Sequence, residues 1–334
     1  MGNVKAIALY SGGLDSTLAI LQMMKYGVEV EAITFMTHFG CDASDSSSCG
    51  SDPFPAAQKF GFKVKLAHLG NKFFEIVKNP RFGHGKNMNP CIDCRLTMIG
   101  EVKHYLDMSG GDFVITGEVL GQRPMSQRRF TLDLVAKECG LDGRLVRPLS
   151  GKLLPPTLPE KEGKIKREWL LNIEGRSRQR QMQLAEEFGL TEYPSPASGC
   201  LLTDRRYSDR LRDLLKNKPE TDFNDLNLLR VGRHFRLGPN AKLVVGRDES
   251  ENNIIQSLYL PDDVLLEALD FKTPLALLRG EINDDILDQA ASIVARYSDG
   301  RNEANLSVEF RGSKEQGTRL TSPATEPFLE QTRI

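Results

Sequence analysis

Residues 11–16 read Ser-Gly-Gly-Leu-Asp-Ser, a set of small, hydroxylated and acidic residues suited to gripping a polyanion. Two glycines let the backbone come close to a ligand and aim its N–H groups at anionic oxygens. The hydroxyls of Ser11 and Ser16 add donors. If a helix starts at Leu14, its N-terminus contributes a partial positive charge to the same spot. No Lys-Ser/Thr pair closes the loop, so it is not a Walker A motif. The alternative is a tight strand–helix turn with a capping Asp15 and no ligand.

A second group could do sulfur or metal chemistry. Cys91 and Cys94 stand three residues apart in Asn89-Pro90-Cys91-Ile92-Asp93-Cys94-Arg95, and Cys200 lies far downstream in Ser198-Gly199-Cys200-Leu201. A helix opening at Pro90 would place both thiols at its N-terminus, where thiolates are stabilised. Two close cysteines and a distant third suit zinc, an iron–sulfur cluster or persulfide chemistry. Cys41 and Cys49 flank a serine-rich loop and read either as sulfur relays or as incidental thiols. Cys139 ends an apolar helical pattern and reads as structural. His38 follows a strand beside the expected nucleotide pocket and is a candidate contact; the five histidines show no metal-ligand spacing.

These groups need a frame. Val4–Tyr10 is an apolar run that reads as a buried parallel strand, and Leu14–Tyr26 has apolar residues at helical spacing up to Gly27. Strands are expected at 28–37, 62–69, 113–116 and 144–148, with helices near 54–60, 72–78, 90–108 and 128–139. Strands alternating with helices predict an α/β fold, a parallel sheet covered on both faces. The Ser-Gly-Gly loop then lies at the carboxyl end of the first strand, where such sheets bind ligands. Residues 1–150 are expected to form this domain. Residues 151–221 read as a basic adaptor carrying Cys200, residues 222–312 as a small α+β domain, and residues 313–334 as a polar, disordered tail.

The chain has 334 residues, with 27% charged and 40% hydrophobic side chains, ordinary values for a globular protein. Neither a run of about 18 apolar residues nor a signal-peptide pattern is present, so the cytoplasm is the expected compartment. Six cysteines are too sparse for a disulfide scaffold in a chain of this length. The net charge of −1 argues against a generic nucleic-acid binder, but residues 121–183 hold 14 Lys/Arg against 7 Asp/Glu. Local asymmetry of this kind bears on an RNA footprint more than the total does.

The loop at residues 11–16 resembles the pyrophosphate loop (PP-loop) of the N-type ATP pyrophosphatases, which cleave ATP to AMP and pyrophosphate. Asn89-Pro90-Cys91-x-x-Cys94-Arg95 resembles a motif of the bacterial tRNA 2-thiouridylases. Thr116-Gly117-Glu118-Val119-Leu120-Gly121-Gln122 and Ser126-Gln127 resemble a stretch of the tRNA 4-thiouridine synthases, and Arg147-Pro148-Leu149 resembles one found in both groups. The resemblance covers about residues 4–204. It implies an adenine nucleotide α-hydrolase-like sheet and ATP with Mg²⁺ as cofactors. ATP is then bound by Ser11, Gly12, Gly13, Leu14, Asp15, Ser16, Gly117 and Gln122, with Asp15 helping to hold the magnesium. The implied reaction is adenylation of a uridine carbonyl, release of pyrophosphate, and displacement of AMP by sulfur.

The sulfur step has two versions in these enzymes. Cys94 and Cys200 match a persulfide carrier and its resolving thiol; Cys91, Cys94 and Cys200 match the ligands of a 4Fe–4S cluster. Cys91 stands where many thiouridylases have Asp and favours the cluster, with cluster-free persulfide chemistry or structural zinc as the alternatives. The partners implied are tRNA and a sulfur donor, either sulfide or a persulfide carrier protein.

Between the cysteine elements, Lys161, Lys164, Lys166, Arg167, Arg176, Arg178 and Arg180 form a candidate RNA face. Further on, Val245-Gly246-Arg247-x-x-x-x-Asn252 and Asp270-x-x-x-Pro274 resemble the RNA-binding domain of NFACT-type proteins. Arg230, Arg233, Arg236, Lys242 and Arg247 suggest a basic face on that module. No accessory RNA-binding or sulfur-carrier domain typical of the thiouridine synthases is recognisable, so the sequence leaves open which oxygen of which uridine is replaced. Two other classes compete: a PP-loop ligase or amidotransferase acting on a small molecule, and an RNA-binding protein with a degenerate nucleotide loop.

Overall fold

The computed structural model describes residues 4–39, 52–193 and 200–334. The chain divides into two compact units, Met1–Asp204 and Arg205–Ile334, each described by itself.

In the first unit, strands β1 (Lys5–Leu9), β2 (Glu29–Met36), β3 (Lys63–His68), β4 (Phe113–Thr116) and β5 (Leu145–Val146) form one sheet in the order β3-β2-β1-β4-β5. Every pairing is parallel. The helices are α1 (Leu14–Met24), α2 (Phe54–Phe60), α3 (Gly70–Lys78), α4 (Cys91–Ser109), α5 (Arg129–Glu138), α6 (Leu158–Lys161) and α7 (Gln179–Glu187). The central strands β1 and β4 are almost wholly apolar and buried, as expected when helices cover both faces. Ala6, Ala8, Phe113, Ile115 and Val146 pack one core, which Ile165 and Leu170 complete. The order changes direction at β1, and its carboxyl end leads into residues 11–16. That is the switch point at which open α/β sheets place ligands.

Residues 151–193 are part of this unit. Leu14, Leu18 and Ala19 of α1 pack with Ile173, Leu184, Ala185 and Leu190 in a shared core. Leu171 and Ile173 donate backbone hydrogen bonds to Pro148 and Leu149, at 2.8 and 2.9 Å. The stretch expected as an adaptor is therefore folded onto the first helix.

The second unit contains α8 (Arg205–Asn217), α9 (Phe223–Leu228), α10 (Glu249–Ser257), α11 (Asp284–Tyr297) and α12 (Glu326–Thr332). Its strands are β6 (Arg233–Gly238), β7 (Ala241–Val245), β8 (Val264–Ala268), β9 (Ala276–Gly280), β10 (Leu306–Gly312) and β11 (Gln316–Thr321), in the order β11-β10-β8-β9-β7-β6. All pairings are antiparallel, and α11 buries its apolar face against the sheet.

The tail expected to be disordered is ordered instead. Residues 316–321 pair with β10 along its length, and α12 buries Leu329 in the core. The polar composition reflects an edge strand with side chains in water, and backbone pairing supplies the order that hydropathy does not register.

Candidate active site

The loop at residues 11–16 is built by local geometry. Gly12 takes φ +70°, a left-handed conformation that favours glycine, and Gly13 caps α1 with extended backbone. Ser16 Oγ donates to Gly13 O at 2.9 Å and lies 3.2 Å from Ser11 Oγ; Thr17 Oγ1 also donates to Gly13 O, at 3.0 Å. Leu14 is buried and anchors the loop in the core that α1 shares with α7.

Gly117, just after β4, approaches this loop so closely that a Cβ there would lie 2.5 Å from Ser16 N. Any side chain at 117 would push the loop from its place. From the same connection Gln122 reaches over, and its Nε2 donates to Asp15 Oδ2 at 3.0 Å. Arg178 Nη2 stands 3.5 Å from the same oxygen. Asp15 Oδ1 is buried and has no hydrogen-bond partner among the described residues, nor has Gln122 Oε1. A carboxylate oxygen left unsatisfied at the mouth of this glycine loop fits a divalent cation, because burial without a partner costs free energy that ligation recovers.

Glu118 ties the end of β4 to the cysteine helix. It is wholly buried, accepts from Arg147 Nε at 2.9 Å and from Thr116 Oγ1 at 3.1 Å, and lies 3.8 Å from Arg95 Nε. Burial pushes its carboxyl up, but the Arg147 and Arg95 guanidiniums outweigh that and hold it below its ordinary value. Arg95 immediately follows Cys94, so one ion network runs from the end of β4 to the first turns of α4.

Cys91 and Cys94 occupy those first turns, as the sequence predicts. Asp93 accepts from the backbone N–H groups of Arg81 and Phe82, at 3.0 and 3.1 Å, and so fixes the preceding loop against the helix. The Cys200 segment is pinned alongside: Met88 N donates to Leu202 O at 3.1 Å, and Asn87 Nδ2 donates to Thr203 O at 2.7 Å. Cys200 Sγ sits 3.7 Å from Phe39 O, just beyond β2. The structure thus brings the two cysteine segments side by side. Among the described residues, however, no three His, Cys, Asp or Glu side chains are gathered as a metal site. The donor chemistry of Cys91, Cys94 and Cys200 fits an iron–sulfur group, while the arrangement shown does not assemble it. Cys41 and Cys49 lie outside the described residues.

Cys139 stands apart. Burial first, then the Glu138 and Glu118 carboxylates, push its thiol up to about 11, and Sγ lies 3.4 Å from Leu96 O. His38 lies edge-on to His68, with ring centroids 4.9 Å apart.

Both basic faces expected from the sequence are largely engaged internally. Lys164 pairs with Asp112 and Glu162, Arg167 with Glu160, Arg180 with Glu187, and Arg178 with Asp15. In the second unit Arg236 pairs with Asp213 and Arg247 with Glu251; Arg233 covers the Tyr297 ring, and Lys242 is buried. Spacing shows where cations occur along a chain but not the carboxylates that folding delivers to them.

Residues 2–152 match the family model described as "Thiamine biosynthesis protein (ThiI)", and residues 232–331 match "NFACT protein RNA binding domain". The chain resembles PP-loop tRNA thiolation enzymes, with an NFACT-like module at the other end. It is 26% identical over 251 residues to the tRNA-specific 2-thiouridylase MnmA of Pseudomonas fluorescens (strain SBW25), covering 70% of this chain and 61% of that protein. It is 28% identical over 156 residues to a "Probable tRNA sulfurtransferase" of Thermococcus kodakarensis, covering 44% and 37% respectively. The chain thus spans less than two thirds of the length of these relatives. Of solved structures, "Crystal structure of a 4-thiouridine synthetase - RNA complex with bound ATP" aligns at a TM-score of 0.38 with 20% identity, over 68% of this chain and 52% of that one. At that score the structural likeness is partial and carries no functional weight.

The NFACT-like motif has a packing role. A Cβ at Gly246 would fall 2.1 Å from Asn252 Oδ1, and that oxygen accepts from Leu275 N at 3.1 Å. Gly246 and Asn252 thus hold α10 against the start of β9.

Proposed function

We propose that this protein is a cytoplasmic tRNA uridine sulfurtransferase that activates a uridine carbonyl with ATP and replaces its oxygen with sulfur. The observation that carries the reading is the convergence on Asp15. A left-handed glycine loop, Gln122 and Arg178 surround one carboxylate at the switch point of the sheet, and Glu118 links that point to Cys94 through Arg95. The relatives, tRNA thiolation enzymes by name, supply the substrate class.

In this reading, Asp15 holds Mg²⁺ on the phosphates of ATP while Ser11–Ser16 grip the β- and γ-phosphates. The uridine oxygen attacks the α-phosphorus; a C–O–P linkage forms, the α–β bridging P–O bond breaks, and pyrophosphate leaves. Arg178 offsets negative charge on the departing group. Sulfur then forms a bond to the activated carbon, and the C–O bond breaks as AMP leaves. Without adenylation the leaving group would be an oxide, which is why ATP is consumed.

Cys94 and Cys200 carry the sulfur step. As a persulfide pair, the outer sulfur of one attacks the carbon. The thiolate of the other then attacks the inner sulfur, leaving a disulfide that an external thiol reduces. With Cys91 as a third ligand, the same residues would hold a 4Fe–4S group, which supplies an open iron to bind sulfide when present. Anaerobically prepared protein separates these routes. Cysteine-ligated iron with broad visible absorbance supports the cluster, whereas full activity in iron-free, colourless protein supports the persulfide pair.

The experiment that tests the function is mass spectrometry of tRNA nucleosides from a strain lacking the gene. Loss of one thiolated uridine, restored by the wild-type gene but not by Asp15→Ala, is the expected result. An unchanged nucleoside profile would move the assignment to a small-molecule ligase.

A further inference from the structure

Most cations expected to contact RNA are paired inside the fold, which makes the unpaired ones informative. The turn after Gln122 is closed by Gly121 N donating to Gln127 O at 2.8 Å and by Gln127 N donating to Arg123 O at 3.2 Å. Thr131 Oγ1 fastens it to α5 by donating to Met125 O at 2.8 Å. This turn presents Arg123, Pro124, Met125 and Arg128 to solvent, and the start of α5 adds Phe130. Phe130 is 76% exposed, well above what a packing role needs. Among the described residues, the guanidiniums of Arg123 and Arg128 make no hydrogen bond or ion pair, and neither does that of Arg176, one residue beyond the Gly175 N–H that donates to Leu120 O at 2.8 Å. The nearby carboxylates are Asp133, paired with Arg129, and the exposed Glu174.

The turn also borders both halves of the site. Its first residue, Gln122, holds Asp15. Its Met125 lies against Gly85, where a Cβ would come within 2.5 Å of the sulfur, and Gly85 N is bonded to Asn89 O at 2.8 Å just ahead of Cys91.

We propose that Arg123, Arg128 and Phe130 form the docking rim for the RNA strand whose uridine enters the site. The inference rests on the function proposed above. Unpaired guanidiniums neutralise backbone phosphates, and an exposed ring beside them offers a face on which an unstacked base can lie. An exposed aromatic close in the chain to unpaired arginine side chains fits a nucleic acid better than the acidic face of a carrier protein, which would leave the ring without a stacking partner. Arg176 lies on the neighbouring segment and extends the same positive rim.

The test uses the full chain and an unmodified transcribed tRNA. Binding is measured across a salt series for wild type, Arg123→Ala/Arg128→Ala, Arg123→Lys/Arg128→Lys and Phe130→Ala. The double alanine variant should lower the slope of log affinity against log salt by about 1 to 2, and the lysine variant should keep it. Phe130→Ala should weaken binding roughly tenfold with the slope unchanged. All three sites are exposed, and equal Tm values confirm folding. Wild-type slope and affinity in every variant would overturn the rim while leaving the proposed function standing. Unchanged tRNA binding with sulfur delivery from a carrier protein lost would also overturn it, assigning the surface to the carrier. Absence of tRNA binding by wild type at low salt would overturn both proposals.

Discussion

Gln122 Nε2 and Asp15 Oδ2 lie 3.0 Å apart, although 107 residues separate them along the chain. The bond spans the switch point of the sheet, from the β4 connection to the first turn of α1. It orients one carboxylate oxygen and leaves the other unsatisfied. Asp15→Ala should abolish RNA-dependent pyrophosphate release. Gln122→Ala leaves the carboxylate present but unheld, and should reduce release about 10- to 100-fold at saturating ATP. Steady-state pyrophosphate assays with tRNA check both, and an unaltered Asp15→Ala rate would refute the loop's role.

Arg178 belongs to the same cluster but reaches it from the 151–193 segment, which packs on α1 through Leu184 and Ala185. Arg178→Met should raise the KM for ATP and lower kcat, whereas Arg178→Lys should recover part of both by keeping the charge. An equal loss in the two variants would point to the planar fork of Arg178 rather than its charge.

The cysteines divide by environment. Cys94→Ser and Cys200→Ser should stop thiolation while leaving pyrophosphate release intact, because in the proposed reaction adenylation precedes sulfur attack. Cys139→Ser should leave both activities near wild type, since a thiol pushed up to about 11 is neutral at physiological pH and takes no nucleophilic part. Parallel assays of pyrophosphate and thionucleoside distinguish these outcomes, and loss of both signals in Cys94→Ser would place that residue in the first step instead.

Much of the first unit was legible in the sequence because its signals are local. Apolar runs at strand length, helical spacing after residue 13 and glycine punctuation each reflect the backbone over a few residues. Hence the α/β fold, the glycine turn between β1 and α1 and the opening of α4 at the cysteines agree with expectation. What periodicity could not show is long-range pairing. Glu118 reads as one letter of a motif, yet its role depends on Arg147 and Arg95 arriving from two other elements. Arg236 and Lys242 read as surface cations, yet Asp213 of α8 meets the first and the sheet buries the second. Residues 316–321 lacked apolar alternation because an edge strand needs only its neighbour's backbone.

The Glu118–Arg147 pair is a stability prediction as well. Both side chains are almost wholly buried, and Arg147 Nη2 also donates to Leu132 O at 2.9 Å. Removing one partner strands a buried charge, so Glu118→Leu should cost about 3–5 kcal/mol. The double variant Glu118→Leu/Arg147→Met should cost less than either single change, because no wholly buried ion is left unpaired and the remaining Arg95 reaches solvent. The carboxyl is held below its ordinary 4.5, so its contribution is complete above that pH and is lost as acid titrates the folded group. Urea unfolding of the four members of the cycle provides the measurement.

Lys242 is a cost to the fold where the Glu118–Arg147 pair is a contribution. It sits on β7 beside Arg236 and between the paired strands β6 and β9. Burial pushes its ammonium down from 10.5 to about 7, with Arg236 and Arg210 adding to the shift and Asp213 opposing it. Between about pH 7 and 10.5 the unfolded chain holds a proton that the folded chain has released, so stability rises with pH across that window. Below about 7 the cost of burying the charged form is present in full. Lys242→Met keeps an unbranched side chain, one atom shorter and without the charge, and should stabilise the second unit by about 1–4 kcal/mol at pH 6. The advantage should shrink as pH rises towards 10, where both chains carry a neutral group at this position. Urea titrations of wild type and variant at pH 6, 8 and 9.5 read this directly, and a gap that stays constant or widens with pH would show that Lys242 remains charged in the fold.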